Sequence, residues 1–103
     1  MARRKKKRRT LGAASEAHRS RLRMDARSAR DAANSAIKYA EHGDTCSTAI
    51  HFLTDAAARV GSVETNLATM ASGKKRNEDY NQAGLAKADF NKALRIVITK
   101  CSR

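Results

Sequence analysis

Proline and tryptophan are both absent, and only Tyr39, Phe52, Tyr80 and Phe90 are aromatic. Without proline, nothing forces a kink inside a helix. Without aromatics in an RNP-type pattern, there is no platform for stacking unpaired bases. The two cysteines, Cys46 and Cys101, sit in no CxxC pair, and no apolar segment follows the basic start as a signal peptide would require. We therefore expect free thiols, a reducing compartment and a protein that is not secreted. No apolar run approaches the ~20 residues of a membrane helix, so no membrane partner is expected. GxSxG, glycine-rich phosphate loops and paired carboxylates are missing. Cys46 near His42 across a tight turn is the sole nucleophile–base candidate, and a half-buried structural thiol explains it more simply. His18, His42, His51 and the cysteines lack paired i, i+4 ligands, and His51 with Asp55 reads as a helix-surface pair. The expectation is a non-enzymatic protein with no metal, cofactor or small-molecule substrate.

What is present is charge, and it lies at one end. The net charge is +12 over 103 residues. Residues 1–30 hold twelve Lys or Arg against Glu16 and Asp25, whereas residues 31–103 hold ten against eight acids. Such a block is an interaction tail whose counter-surface is a polyanion, disordered when unbound. The apolar fraction of 41% includes twenty alanines, so the core is thin. Alanine contributes little of the ~25 cal/mol per Å² that burial supplies, which favours further stabilisation by a protein partner or a second copy.

The pattern after Thr10 is helical, giving an all-α fold: a long antiparallel hairpin, a third helix and a basic N-terminal arm over residues 1–14. Leu22, Ala26, Ala29, Ala33, Ile37 and Ala40 recur at three- and four-residue steps, which places a first helix over residues 15–42, capped by Thr10 or Ser15 and stopped at Gly43. Asp44 can cap a second helix over residues 45–72, striped by Cys46, Ile50, Leu53, Ala57, Val60, Glu64, Leu67 and Met70, with Ala49, Ala56, Val63 and Ala71 beside them. The stripe keeps its phase through Gly61, although a break there with Ser62 capping a new helix is the alternative. Gly73 to Arg76 form a basic loop, and Asn77, Glu78 and Asp79 suit the positive end of a third helix over residues 77–101. Its inner line is Ala83, Ala86, Phe90, Leu94, Val97 and Cys101. The apolar tail Ile96 to Ile98 could be an oligomer contact.

Two groups of cations are candidate nucleic-acid ligands. Arg3, Arg4, Lys5, Lys6, Lys7, Arg8 and Arg9 can displace condensed counterions from phosphates, each adding about 0.9 to the logarithmic salt slope. Arg19, Arg23, Arg27 and Arg30 fall within an arc of ~80° beside the apolar stripe, a ridge suited to successive phosphates, or else a solvated face relieved by Asp25 and Asp31. Lys74, Lys75 and Arg76 could add a second contact. With no zinc-finger spacing or heptad zipper, binding should be largely blind to sequence.

The RS-x-x-R opening within RSRLR (Arg19 to Arg23) and the turn EHGD (Glu41 to Asp44), following a basic arm, resemble the S20 type of small-subunit ribosomal protein. That resemblance implies a helical bundle binding ribosomal RNA. The departure is in the last helix, which is lysine-rich in that family but here holds Lys87, Lys92, Arg95, Lys100 and Arg103 against three acids over residues 77–103. The Arg/Lys-rich arm on a near-neutral body is also similar to small basic virion proteins of bacteriophages. This second resemblance implies DNA favoured over RNA as partner, a body docked on capsid, and residence in the virion or host cytoplasm. A third possibility is a helical assembly or scaffolding module in which the arm is incidental.

Overall fold

The computed structural model describes the backbone of residues 2–70, 73 and 75–101, and the side chains of these except residues 2–14 and 43. Three α-helices follow in order: α1 (Ala2–Ala40), α2 (Cys46–Thr69) and α3 (Asn77–Cys101), with a short 3-10 turn, Gly43–Thr45, between the first two. α1 packs along both of the others, and α1 with α2 forms the expected hairpin.

Several boundaries differ from expectation. α1 begins at Ala2, so neither Thr10 nor Ser15 starts a helix, and Ser15 is buried. Alanine, lysine and arginine are all good helix formers, and no proline intervenes, so the backbone of the arm continues the helix. α1 is ~58 Å long against ~36 Å for α2 and ~37 Å for α3. Since Glu16 and Arg19 already meet Arg76 and Asp79 at the start of α3, residues 2–14 continue roughly 20 Å beyond that contact. α1 stops at Ala40, short of Gly43, and Asp44 lies within the 3-10 turn instead of capping α2. The Thr45 hydroxyl fastens this corner, 2.5 Å from Tyr39 O and 2.9 Å from His42 O. α2 runs unbroken through Gly61. The Ser62 hydroxyl donates to Asp25 of α1 instead of capping a new helix.

Ten of the fifteen buried apolar residues among those described are alanine. α1 contributes Leu22, Ala26, Ala29, Ala33 and Ala40 as expected, joined by Ala32 and Ala36. On α2 the buried line keeps Val60 and Met70 of the expected stripe but otherwise runs through the flanking Ala49, Ala56 and Val63. Ala49, Ala56, Val60, Val63 and Met70 are inside, while Ile50 is 51% exposed and Ala57 and Glu64 face solvent. Small side chains on both helices let the axes approach closely, and that contact, not the bulk of Ile50, sets the rotation of α2. Apart from the fully buried Leu22, most of the larger side chains lie at the margins, where Tyr39 stacks on Phe52 with ring centres 5.4 Å apart. Phe90 of α3 packs against both of the two buried clusters, one centred on Ala36 and Ala49, the other on Leu22 and Val63.

The expectation of free thiols is overturned: Cys46, the first residue of α2, is bonded to Cys101, the last of α3. The antiparallel path brings these two helix ends together with Cα atoms 5.7 Å apart, within the range a disulfide requires. The inferred reducing compartment loses its basis with the thiols. Closing 55 residues by a covalent bond restricts the unfolded chain by about 4 kcal/mol in the chain-entropy treatment. Cys46→Ser should lower the free energy of unfolding by about that amount, and reduction of the native chain should match it in the same denaturant titration. A loss below about 1 kcal/mol would show that the bond is peripheral to stability.

Candidate nucleic-acid interface

Three packed helices leave three grooves on the surface, and here each has a different chemistry. The α1–α2 groove is a chain of polar contacts. His18 Nδ1 lies 2.8 Å from Asn66 Oδ1, and Asn66 Nδ2 donates to Ser62 O at 2.8 Å. The Ser62 hydroxyl donates to Asp25, which is 5% exposed and lies 3.5 Å from Arg59 and 3.7 Å from Arg21. This strip fastens two helices and leaves Asp25 fully engaged. The α2–α3 groove is apolar, bounded by Ile50, Leu53, Val97, Ile98 and Cys101.

The α1–α3 groove carries the arginines. Arg23, Arg27 and Arg30 line an open cleft of about 440 Å³ together with Asp31, Asn34 and Gln82. The spacing of four and three residues puts these three guanidiniums on one face of α1. Two of them are already engaged by α3, Arg23 with Glu78 at 3.3 Å and Arg30 with Asp89 at 2.8 Å. Arg27 has no ion-pair partner among the described residues and is exposed. Solvent-exposed pairs such as these are worth ~0–1 kcal/mol, so a phosphate can compete for Arg23 and Arg30. Asp31, Glu78 and Asp89 nevertheless balance the three arginines, leaving Arg27, among the described residues, as the one cation of the cleft free to take an anion at no cost in existing contacts.

Arg19 does not belong to this surface, contrary to the expected four-arginine ridge. It is 2% exposed, and its Nε donates to both oxygens of Asp79 at 3.1 Å while Nη1 bonds Glu16. Burial pushes the guanidinium down, but hydrogen bonding and charge from Asp79, then Glu16, more than offset this and raise it above its ordinary value. Arg19 is therefore cationic at any ordinary pH. Asp79, 1% exposed, also accepts from the Arg76 backbone N–H at 3.0 Å, the back-reaching half of a capping box at the start of α3. One carboxylate thus caps α3 and anchors it to α1. No pattern in the sequence distinguished Arg19 from its neighbours. An acid at the third position of α3 was visible, but its partner 60 residues away was not.

Of the other expected ligands, Arg76 lies 3.6 Å from Glu16, at the edge of the same anchor, and Lys75 is half-buried. Lys74 and the side chains of Arg3, Arg4, Lys5, Lys6, Lys7, Arg8 and Arg9 lie outside the described residues. Cys46, the candidate nucleophile, is held in the disulfide, and Asp55 pairs with Arg59 at 3.6 Å, not with His51. No helix among the described residues is long and apolar enough to cross a membrane. No protein-family model, curated protein or solved structure matches this chain.

The division of labour among the arginines is testable by folding stability. Asp79→Ala takes the buried carboxylate away from the Arg19 guanidinium and uncaps α3, and should cost about 3–5 kcal/mol. Arg27→Ala should stay within ~0.5 kcal/mol of the native chain. Equal losses in a chemical denaturation series would contradict the assignment.

Proposed function

We propose that this chain is a non-enzymatic nucleic-acid-binding protein that neutralises phosphates without regard to sequence. The observation that carries the reading is the one-sided charge, an excess of ten positive charges in residues 1–30, which leads directly into a cleft whose free cation is Arg27. The seven consecutive cations Arg3 to Arg9 supply bulk affinity. The folded body adds one contact at Arg27, with Arg23 and Arg30 joining as phosphates displace Glu78 and Asp89. Neither the arm nor the cleft presents aromatics for stacking, which supports duplex DNA over unpaired RNA.

Within that reading, the setting we favour is a bacteriophage particle, the arm on packaged genome and the body on protein. The near-neutral, alanine-rich body suits contact with protein better than immersion in RNA. The disulfide also fits a particle that meets oxidising surroundings better than it fits permanent residence in a reducing cytoplasm.

Affinity for duplex DNA, single-stranded DNA and structured RNA across a salt series tests the proposal. The expected logarithmic slope on duplex DNA is roughly 7, from seven arm cations and Arg27. Removing residues 1–9 should leave a slope of about 1, and Arg27→Ala alone should lower the full slope by about 1. All duplex sequences should respond alike. A preference for structured RNA that survives high salt would replace this reading with a ribosomal-type one, and absence of binding would leave an assembly module.

A further inference from the structure

The projecting end of α1 restricts how a duplex partner is held. α1 is one helix from Ala2 to Ala40, and Glu16 and Arg19 meet Arg76 and Asp79 at the near end of α3. The backbone of residues 2–14 runs on from there as a rod of roughly 20 Å. The seven consecutive cations Arg3 to Arg9 span about 10 Å of that rod. Residues 10–14 (TLGAA) carry no charge and set the cations apart from the body.

At about 100° per residue, positions 3 to 9 fall all round the helix, with no arc wider than ~60° between neighbouring positions. A helix laid along the outside of a duplex meets phosphates on one side only, and an arm suited to that would carry its cations on one face. The major groove of B-form DNA is different. It is about 12 Å wide and 8.5 Å deep, against ~10–12 Å for a helix with its side chains. A helix within it has a row of phosphates on either hand. Its floor presents acceptors at every base pair, N7 and O6 of guanine or N7 of adenine and O4 of thymine. Positive charge all round the helix is matched there on every side but the outer one, whatever the sequence.

The same charges disfavour the helix in isolation. Arg3 and Lys7, Arg4 and Arg8, and Lys5 and Arg9 are like-charged i, i+4 pairs, which oppose helix formation, and the first of them also lie at the positive end of the helix dipole. Phosphates on both walls of a groove relieve both penalties. A-form RNA offers no such seat, because its major groove is deep and narrow.

We infer that the arm binds as a helix lying in the major groove of B-form duplex DNA, continuous with α1 and aimed by the bundle, and not as an extended chain along the phosphates. This rests on the nucleic-acid reading above and names the form of ligand that the arm fits. Continuity is weakest at Gly12, the only glycine in α1, because glycine disfavours a helix interior relative to alanine by roughly a five-fold factor in the equilibrium.

Substitutions at Gly12 alter the helix without altering the charge. The full, oxidised chain is titrated onto a short DNA duplex and onto duplex RNA of the same sequence at one fixed salt concentration. Gly12→Ala should bind the DNA roughly three- to five-fold more tightly, and Gly12→Pro at least about ten-fold more weakly, whereas a flexible tail would be indifferent to both. Duplex RNA should bind more weakly than DNA and respond to neither substitution. Dimethyl sulfate footprinting of the native DNA complex should find guanine N7, in the major groove, protected and adenine N3, in the minor groove, open. The alanine variant and the footprint decide the matter even where proline disturbs the bundle. Unprotected guanine N7 in a complex that keeps its salt slope, or equal affinity of all three chains for DNA, would overturn the groove and leave phosphate neutralisation standing. No binding to DNA at all would remove both.

Discussion

A helix interface walled mainly by alanine is the constraint on which the rest of this structure depends. Alanine lets helix axes approach closely and loses no side-chain entropy on burial, yet each residue removes little apolar area from water. Such a bundle needs fastening at places other than its middle. It is fastened at both ends, by the Cys46–Cys101 bond with the Tyr39–Phe52 stack at one, and by Arg19, Asp79, Glu16 and Arg76 at the other. Phe90 joins the two buried clusters between them. Apart from Leu22 and Phe90, the large side chains therefore act at the margins and ends, and the interior serves chiefly to set the distance between helices.

That arrangement decides which charges remain available for a partner. Arg19 anchors α3, Arg21 and Arg59 attend Asp25, and Arg23 and Arg30 are held by carboxylates of α3. A count of basic residues on α1 would credit the folded body with several phosphate contacts. The geometry credits the α1–α3 cleft, among the described residues, with one that is free and two that must be won by competition. On the proposed function, affinity then belongs to the arm, and the body fixes where the arm is held. The disulfide matters indirectly, because it sets the end of α3 that forms one bank of the apolar groove.

The helices were legible because their periodicity is strong: the α1 stripe from Leu22 to Ala40 and the α3 line through Ala86, Phe90 and Val97 both lie inward. The continuity of α2 through Gly61 was legible for the same reason. Its rotation was not, because in a run such as Ala56-Ala57-Ala58 every phase offers an alanine, and hydropathy alone favours burying Ile50. The start of α1 was obscured because a basic run reads as solvated tail whether or not its backbone is helical. The candidate site was half legible. Spacing placed Arg23, Arg27 and Arg30 together, but neither the loss of Arg19 to Asp79 nor the bond between Cys46 and Cys101 follows from local pattern, since both join residues more than fifty positions apart.

On the proposed function, the arginines of α1 divide between holding the bundle and meeting phosphate. The most direct measurement is side-chain nitrogen-15 NMR of the arginine Nε–H groups during titration with a short DNA duplex. We expect the Arg27 resonance to move first among those of the folded body, Arg23 and Arg30 to follow as their carboxylate partners are displaced, and Arg19 to stay fixed throughout. An Arg19 resonance that moves with Arg27, or a cleft that stays silent while DNA is bound, would contradict it.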